Sequence, residues 1–253
     1  MNKKQKTLLN IGASLLPIII IIVLWIIASN VVDNSYILPS FKEVVVSFFN
    51  LFTYKEFYTA LLSTLLRSTI AFFVSFLFAF LLCLLSMKST YLKRSIRPFI
   101  SILRALPTIA VVLILLVWTN DNVAPVLVTI LVILPTTYTG LCNAFNVIDK
   151  NQLEMCKVFN VKRKDKLKKV IIPQVLPEIY NIIGSNLSLN IKLMVAAEVI
   201  AYTAGSIGNY LKLADVYDQT GKMLALVVAV VIVGLLIEGI FSLMAKRSGK
   251  WRK

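Results

Sequence analysis

Few ionisable side chains interrupt the apolar stretches of this chain, and four of them, Arg67, Lys192, Glu198 and Glu238, fall inside runs rich in Leu, Ile, Val, Phe and Ala. A charge at the centre of a membrane helix costs about 2.5–3.5 kcal/mol, so each needs a partner or a wet cavity. Arg67 and Glu198 have opposite charge and similar depth, which admits a structural ion pair or a gate that meets a solute. Lys192 belongs to a pattern: at about 100° per residue, Asn181, Ser185, Ser188 and Lys192 lie within roughly 60° of one another on a helix. Such a polar strip should not face lipid. It is the candidate lining of a translocation path, with helix packing, or pairing of Lys192 with a carboxylate such as Glu198, as the alternatives. Asn186 and Asn190 make a smaller strip on the far side, suited to hydrogen bonds with neighbouring helices. Gly234 and Gly239 beside Glu238 point to close helix contact there, and Arg104 is placed to snorkel towards headgroups.

Catalytic chemistry is not indicated. The sequence has no histidine, and Cys83, Cys142 and Cys156 form no CxxC pair, so they read as small apolar residues and not as a zinc site or disulfide framework. A phosphate-cradling glycine loop and a nucleophile–base pair are both missing, so ATP hydrolysis is expected on another chain and no cofactor on this one.

The elements that position these residues follow from composition. A chain of 253 residues with 58% hydrophobic and 15% charged residues has too little polar material to cover a soluble globule. Spans of about 20 apolar residues can be drawn at 8–29, 58–86, 98–118, 123–145, 177–201 and 222–244, which predicts an all-α polytopic membrane protein with six transmembrane helices. Lys3, Lys4 and Lys6 before the first run are compatible with a secretory signal, but the run continues past Pro17 to Ala28 without a small-x-small cleavage site, and it reads as a retained span. With both termini in the cytoplasm, 20 of the 27 basic residues are inside, among them Lys88, Lys93, Arg94, Arg97, eight between Lys150 and Lys169, and five from Lys246 to Lys253. The charge of +15 is therefore topological, with anionic lipid as a partner, and no stretch outside the spans is long enough for a nucleic-acid-binding module. One membrane domain over 1–253 is expected, its first span peripheral, its core at about 58–244. Phe41, Val44, Val45, Phe48, Phe49 and Phe52 recur at helical spacing, which predicts an amphipathic helix at the outer interface.

One hydrophilic segment, within the loop 147–173, carries a distinctive layout. It runs Glu154-Met155-Cys156, three residues, Asn160, nine residues, then Val170-Ile171-Ile172-Pro173. These intervals match the cytoplasmic coupling loop of binding-protein-dependent ABC permeases, E-A-A, three residues, G, nine residues, I-x-L-P. Met155 and Cys156 replace the alanines and Asn160 the glycine, a mild change where a left-handed backbone is needed. Leu153, Cys156, Phe159 and Asn160 fall at helical intervals, so a short helix is expected to offer an apolar knob to a partner's groove. Asp149 and Glu154, near its start, would favour its positive end, Pro173 is expected to stop the chain from running on as helix into Pro177, and Pro177 to begin the fifth span.

Further motifs extend the likeness. Ile37-Leu38-Pro39-Ser40, Leu66-Arg67, Arg104-Ala105-Leu106-Pro107, Trp118, Ala196-Ala197-Glu198 and Ser206-Ile207-Gly208 follow one another in an order that resembles the nitrate, sulfonate and taurine type of ABC permease, over about residues 37–213. The resemblance implies a type I importer core, a permease homodimer, cytosolic ATPase subunits that carry ATP and Mg, an extracytoplasmic substrate-binding protein, and ATPase coupling through Glu154, Met155, Cys156, Phe159, Asn160 and Pro173. The implied solute is a small anion of the nitrate, sulfonate or taurine kind or a vitamin precursor. Two other classes remain, an ion-driven secondary transporter and a polytopic membrane enzyme. The first would show internal repeats, broken helices or a chain of buried carboxylates for ion coupling, and the second a catalytic constellation.

Overall fold

The structure is a computed structural model that describes residues 3–249. Lys250, Arg252 and Lys253, counted above among the cytoplasmic charges, lie outside the described residues. The regular elements are α1 (Lys3–Val32), α2 (Phe41–Leu51), α3 (Lys55–Lys88), α4 (Thr90–Ala105), α5 (Thr108–Trp118), α6 (Ala124–Asn146), α7 (Lys150–Val158), α8 (Arg163–Lys166), a π-helical turn (Leu167–Ile171), α9 (Ile172–Ala201), α10 (Ile207–Val216) and α11 (Thr220–Ser248). Among the described residues, four stretches are long and apolar enough to cross a membrane: α3, α6, Arg163–Ala201 and α11. The bent pair α4 and α5 raises the number to five. The expected first span falls in α1, whose apolar part, Ile19–Val32, is shorter than these.

Two expectations need correction. The third span is not one helix over 98–118, because α4 and α5 meet at 91°. Pro107 disfavours the helical conformation for the residue before it, and Leu106 is extended at φ −65°, ψ 127°. With 11 residues, α5 reaches only about 16 Å, half the hydrocarbon thickness. The second correction concerns Pro173, which does not stop the chain: the helix is continuous over Arg163–Ala201, and Pro177 lies inside it. A π-helical turn just before Pro173 explains this. The Ile172 N–H donates to the Leu167 carbonyl, and that wider turn relieves the clash a proline ring makes with the carbonyl four residues back.

The chain divides into two compact units, Met1–Tyr58 with Tyr210–Ala229, and Thr59–Asn209 with Val230–Lys253. In the first, Ser40 caps α2 by accepting the Glu43 N–H at 3.2 Å. The Trp25 indole donates to the Pro39 carbonyl at 3.0 Å and packs edge-on against Phe41. As the periodicity predicts, α2 is two-faced: Val44 and Leu51 are buried, and Phe49 and Phe52 are exposed.

In the second unit, α6 packs against α9, α5 and α4. One buried cluster joins Ala79 and Cys83 of α3, Ile100 and Leu103 of α4, and Leu134, Tyr138 and Leu141 of α6. Another joins Val112, Val128 and Ala197. The far-side strip of α9 does hydrogen-bond to neighbours: the Asn186 amide donates to the Thr137 hydroxyl at 3.1 Å, and the Asn190 amide to the Ser68 carbonyl and hydroxyl at 2.6 and 2.8 Å. Close approach of α9 and α11 depends on glycine. A Cβ on Gly184 would lie 2.7 Å from Phe241 Cβ, and one on Gly234 would lie 2.8 Å from Ser188 Oγ. Gly239, by contrast, meets nothing within 4 Å. The Arg104 guanidinium donates to the Pro135 carbonyl at 3.2 Å and to the Thr139 hydroxyl.

Candidate functional site

Three groups of candidate residues lie in the second unit. At the end where α3 enters it and α9 finishes, Glu198 is fully buried and its carboxylate is surrounded by donors. Arg67 reaches one oxygen at 3.2 Å, and the Thr64 hydroxyl donates to the other at 2.8 Å, with the Gly208 N–H at 3.4 Å. Arg67 also donates to Asn122 Oδ1 at 2.9 Å. The partner of Glu198 is thus Arg67, and the pairing of Glu198 with Lys192 is not what the fold makes. The backbone is shaped around this carboxylate. Tyr202 ends α9 in a left-handed conformation, φ 53°, and Thr203 donates its N–H back to the Glu198 carbonyl. The Thr203 hydroxyl holds the Asp121 carbonyl at 2.6 Å, and Ser206 caps α10 through the Asn209 N–H at 3.0 Å. Gly208 is indispensable here, since a Cβ would lie 2.4 Å from Glu198 Cβ and 2.6 Å from the Val199 nitrogen. The sequence motifs at Leu66-Arg67, Ala196-Ala197-Glu198 and Ser206-Ile207-Gly208 are therefore parts of one network.

The second group is the polar strip of α9, and α11 divides it. Asn181, Ser185 and Lys192 are exposed, whereas Ser188 is buried beneath Gly234. Among the described residues Lys192 makes no ion pair. Asn181 and Ser185 line a hollow of about 310 Å³ with Glu178, Ile182, Glu238 and Ser242. Periodicity within α9 did not reveal Glu238 and Ser242 as neighbours of the strip, because they come from another helix.

The third group is the segment between α6 and α9. Asp149 caps α7 at its start, as expected, accepting the Asn151 N–H at 2.8 Å, whereas Glu154 lies in the middle of the helix, exposed, and not at its positive end. Asn160 has φ 48°, in the left-handed region that its place in the glycine position requires. The knob expected of Leu153, Cys156, Phe159 and Asn160 needs correction: Leu153 and Cys156 turn inward, and the exposed apolar side chains of the segment are Met155, Val158 and Phe159, at 58%, 76% and 73%. Beside it, Gln152, Met155, Cys156, Phe159, Val161 and Val170 line an open apolar hollow of about 500 Å³. Pro173 is half-buried at the start of α9. Sequence reasoning missed Gln174, which ties the segment down. It is buried, accepts the Asp149 N–H at 2.9 Å and donates to Gln152 Oε1 at 2.7 Å. A lone amide among apolar residues after Pro173 was the available signal.

An all-helical polytopic chain with this interruption before α9 has the fold of ABC importer permeases. It superposes on a chain from a crystal structure of an amino acid ABC transporter with a TM-score of 0.66 and 17% identity, covering 80% of this chain and 96% of that one. An inward-facing conformation of the MetNI methionine ABC transporter aligns with a TM-score of 0.60 and 18% identity, covering 77% and 99%. The chain belongs to the family described as binding-protein-dependent transport system inner membrane component, whose model matches residues 71–250. It is 27% identical over 241 residues to the Bacillus subtilis (strain 168) protein SsuC, named as an aliphatic sulfonates transport permease, covering 94% of this chain and 86% of the relative. The taurine transport system permease protein TauC of Escherichia coli (strain K12) is 22% identical over 240 residues, covering 92% and 86%. The protein is accordingly a multi-pass inner-membrane permease component of an ABC importer, a transport subunit whose system includes a substrate-binding protein and a partner ATPase that uses the ATP.

Proposed function

We propose that this chain, with α1 as a peripheral sixth span and both termini cytoplasmic, forms a type I importer permease that dimerises with a second copy and passes a small sulfonate-like anion. The observation that carries the reading is the strip Asn181, Ser185 and Lys192, exposed on a helix otherwise long and apolar enough to cross a membrane. Lipid cannot be the neighbour of such a strip without a cost of several kcal/mol, so it faces water or the second copy. Lys192 lowers the cost of bringing an anion along that path, and Asn181, Ser185, Glu238 and Ser242 supply hydrogen-bonding groups further along it. Ser188 is left out of the path because Gly234 covers it. The relatives named for aliphatic sulfonates and taurine support the solute class.

Coupling is proposed at α7. The exposed Met155, Val158 and Phe159 suit a groove on a cytosolic ATPase, the left-handed turn at Asn160 holds the knob, and Gln174 transmits its movement to α9. Arg67 and Glu198 then act as a structural lock, with no place for solute between them. The test is uptake by proteoliposomes containing permease, ATPase and binding protein. ATP-dependent accumulation of taurine or an alkanesulfonate is expected; accumulation of a neutral heterocycle with no sulfonate uptake would overturn the assigned solute.

A further inference from the structure

Two thiols 59 residues apart in sequence meet inside the second unit. The Cys142 thiol of α6 donates to the Cys83 sulfur of α3 at 2.9 Å, and Ser86 Oγ, which donates to the Cys83 carbonyl at 2.8 Å, lies 3.7 Å from Cys142 Sγ. Cys83 is fully buried and Cys142 half-buried, and both are free thiols. Phe80, Phe145, Ile100 and Leu141 belong to the same apolar cluster. We propose that Cys83 and Cys142 are an oxidation site, at which a membrane-dissolved hydroperoxide forms a disulfide that ties α3 to α6.

Three observations support this. A disulfide needs its sulfurs about 2.05 Å apart, so closing the pair takes a movement of about 0.9 Å, within reach of small side-chain adjustments. The apolar surroundings favour an oxidant that partitions into hydrocarbon over a charged one from water. The two exposures differ, which sets the order of events. Cys142, the accessible thiol, attacks the terminal peroxide oxygen; the O–O bond breaks, the alcohol leaves with the thiol proton, and Cys142 becomes a sulfenic acid. The Cys83 sulfur then displaces the hydroxyl, which leaves as water with the Cys83 proton, and the S–S bond forms. Two thiols give up two electrons, and one hydroperoxide is reduced to an alcohol and water.

The experiment treats membrane vesicles containing the full-length permease with cumene hydroperoxide, then counts thiols under denaturing conditions with a polyethylene-glycol maleimide. Untreated protein should take three tags, one for each cysteine, and treated protein one, with dithiothreitol restoring three. Mass spectrometry should find the Cys83 and Cys142 peptides joined within one chain. Cys83→Ser should stop at a Cys142 sulfenic acid that dimedone traps, and Cys142→Ser should keep both remaining thiols. Three tags on treated wild-type protein would overturn the proposal, as would a bond to Cys156 or to a second copy. If a serine variant fails to insert, Cys83→Ala provides the same dimedone readout, and absence of the adduct there would refute the order of events.

Discussion

Replacing Arg67 with methionine strands a buried carboxylate. Glu198 is fully buried, and Arg67 is its only cationic contact among the described residues, at 3.2 Å. Removing one partner of a buried ion pair costs about 3–5 kcal/mol. The Thr64 hydroxyl at 2.8 Å remains, with a longer Gly208 contact, so the lower end applies and about 3 kcal/mol is expected, roughly a hundredfold in the folded-to-unfolded ratio. Glu198→Gln should cost less, about 1–2 kcal/mol, because Arg67 is 19% exposed and keeps its bond to Asn122. The double variant has no charge to strand, and its loss should fall short of the sum of the single losses by at least about 1 kcal/mol. Unfolding of the purified full-length permease by SDS in mixed micelles, followed by tryptophan fluorescence, measures all four proteins of the cycle. Additive losses, or an Arg67→Met protein as stable as wild type, would refute the lock.

Gly208→Ala should lower the thermal stability of the permease by several degrees, because its Cβ would press on Glu198 Cβ and the Val199 backbone, neither of which is a flexible chain end; an unchanged melting point would contradict the packing. Asn160→Val forces a β-branched residue into φ 48°, at about 1–2 kcal/mol, and should weaken stimulation of ATP hydrolysis by the loaded binding protein while leaving the permease inserted. Lys192→Met should reduce uptake at least tenfold without loss of thermal stability, since the side chain is exposed and makes no ion pair among the described residues, and Lys192→Arg should retain part of the uptake. Normal uptake by Lys192→Met would remove this residue from the path.

What could be read from the sequence was mainly local or periodic. The left-handed turn at Asn160 follows from a short polar side chain in a glycine position, and the separate strips of α9 follow from helical spacing alone. Long apolar runs likewise located α3, α6 and α11 within a few residues. What escaped was long-range or competed with a local rule. Leu106-Pro107 does break the third span, as the residue before a proline should, yet the apolar run around it hid the break. Pro173 and Pro177 obeyed no such rule, because a π-helical turn absorbed the first and the helix ran through the second. The contacts of Gln174 with Asp149 and of Cys83 with Cys142, and the hollow that Glu238 shares with Ser185, join distant parts of the chain, for which spacing gives no warning.

The central claim, that the segment around α7 is where a cytosolic ATPase drives this permease, is tested most directly by a photoreactive amino acid at position 159. In the assembled complex in inside-out vesicles, illumination should crosslink the permease to the ATPase subunit, and the same probe at position 36, in the segment assigned to the outer face, should not. A crosslink to the ATPase from position 36, or none from position 159 in a complex that still transports, would contradict the account.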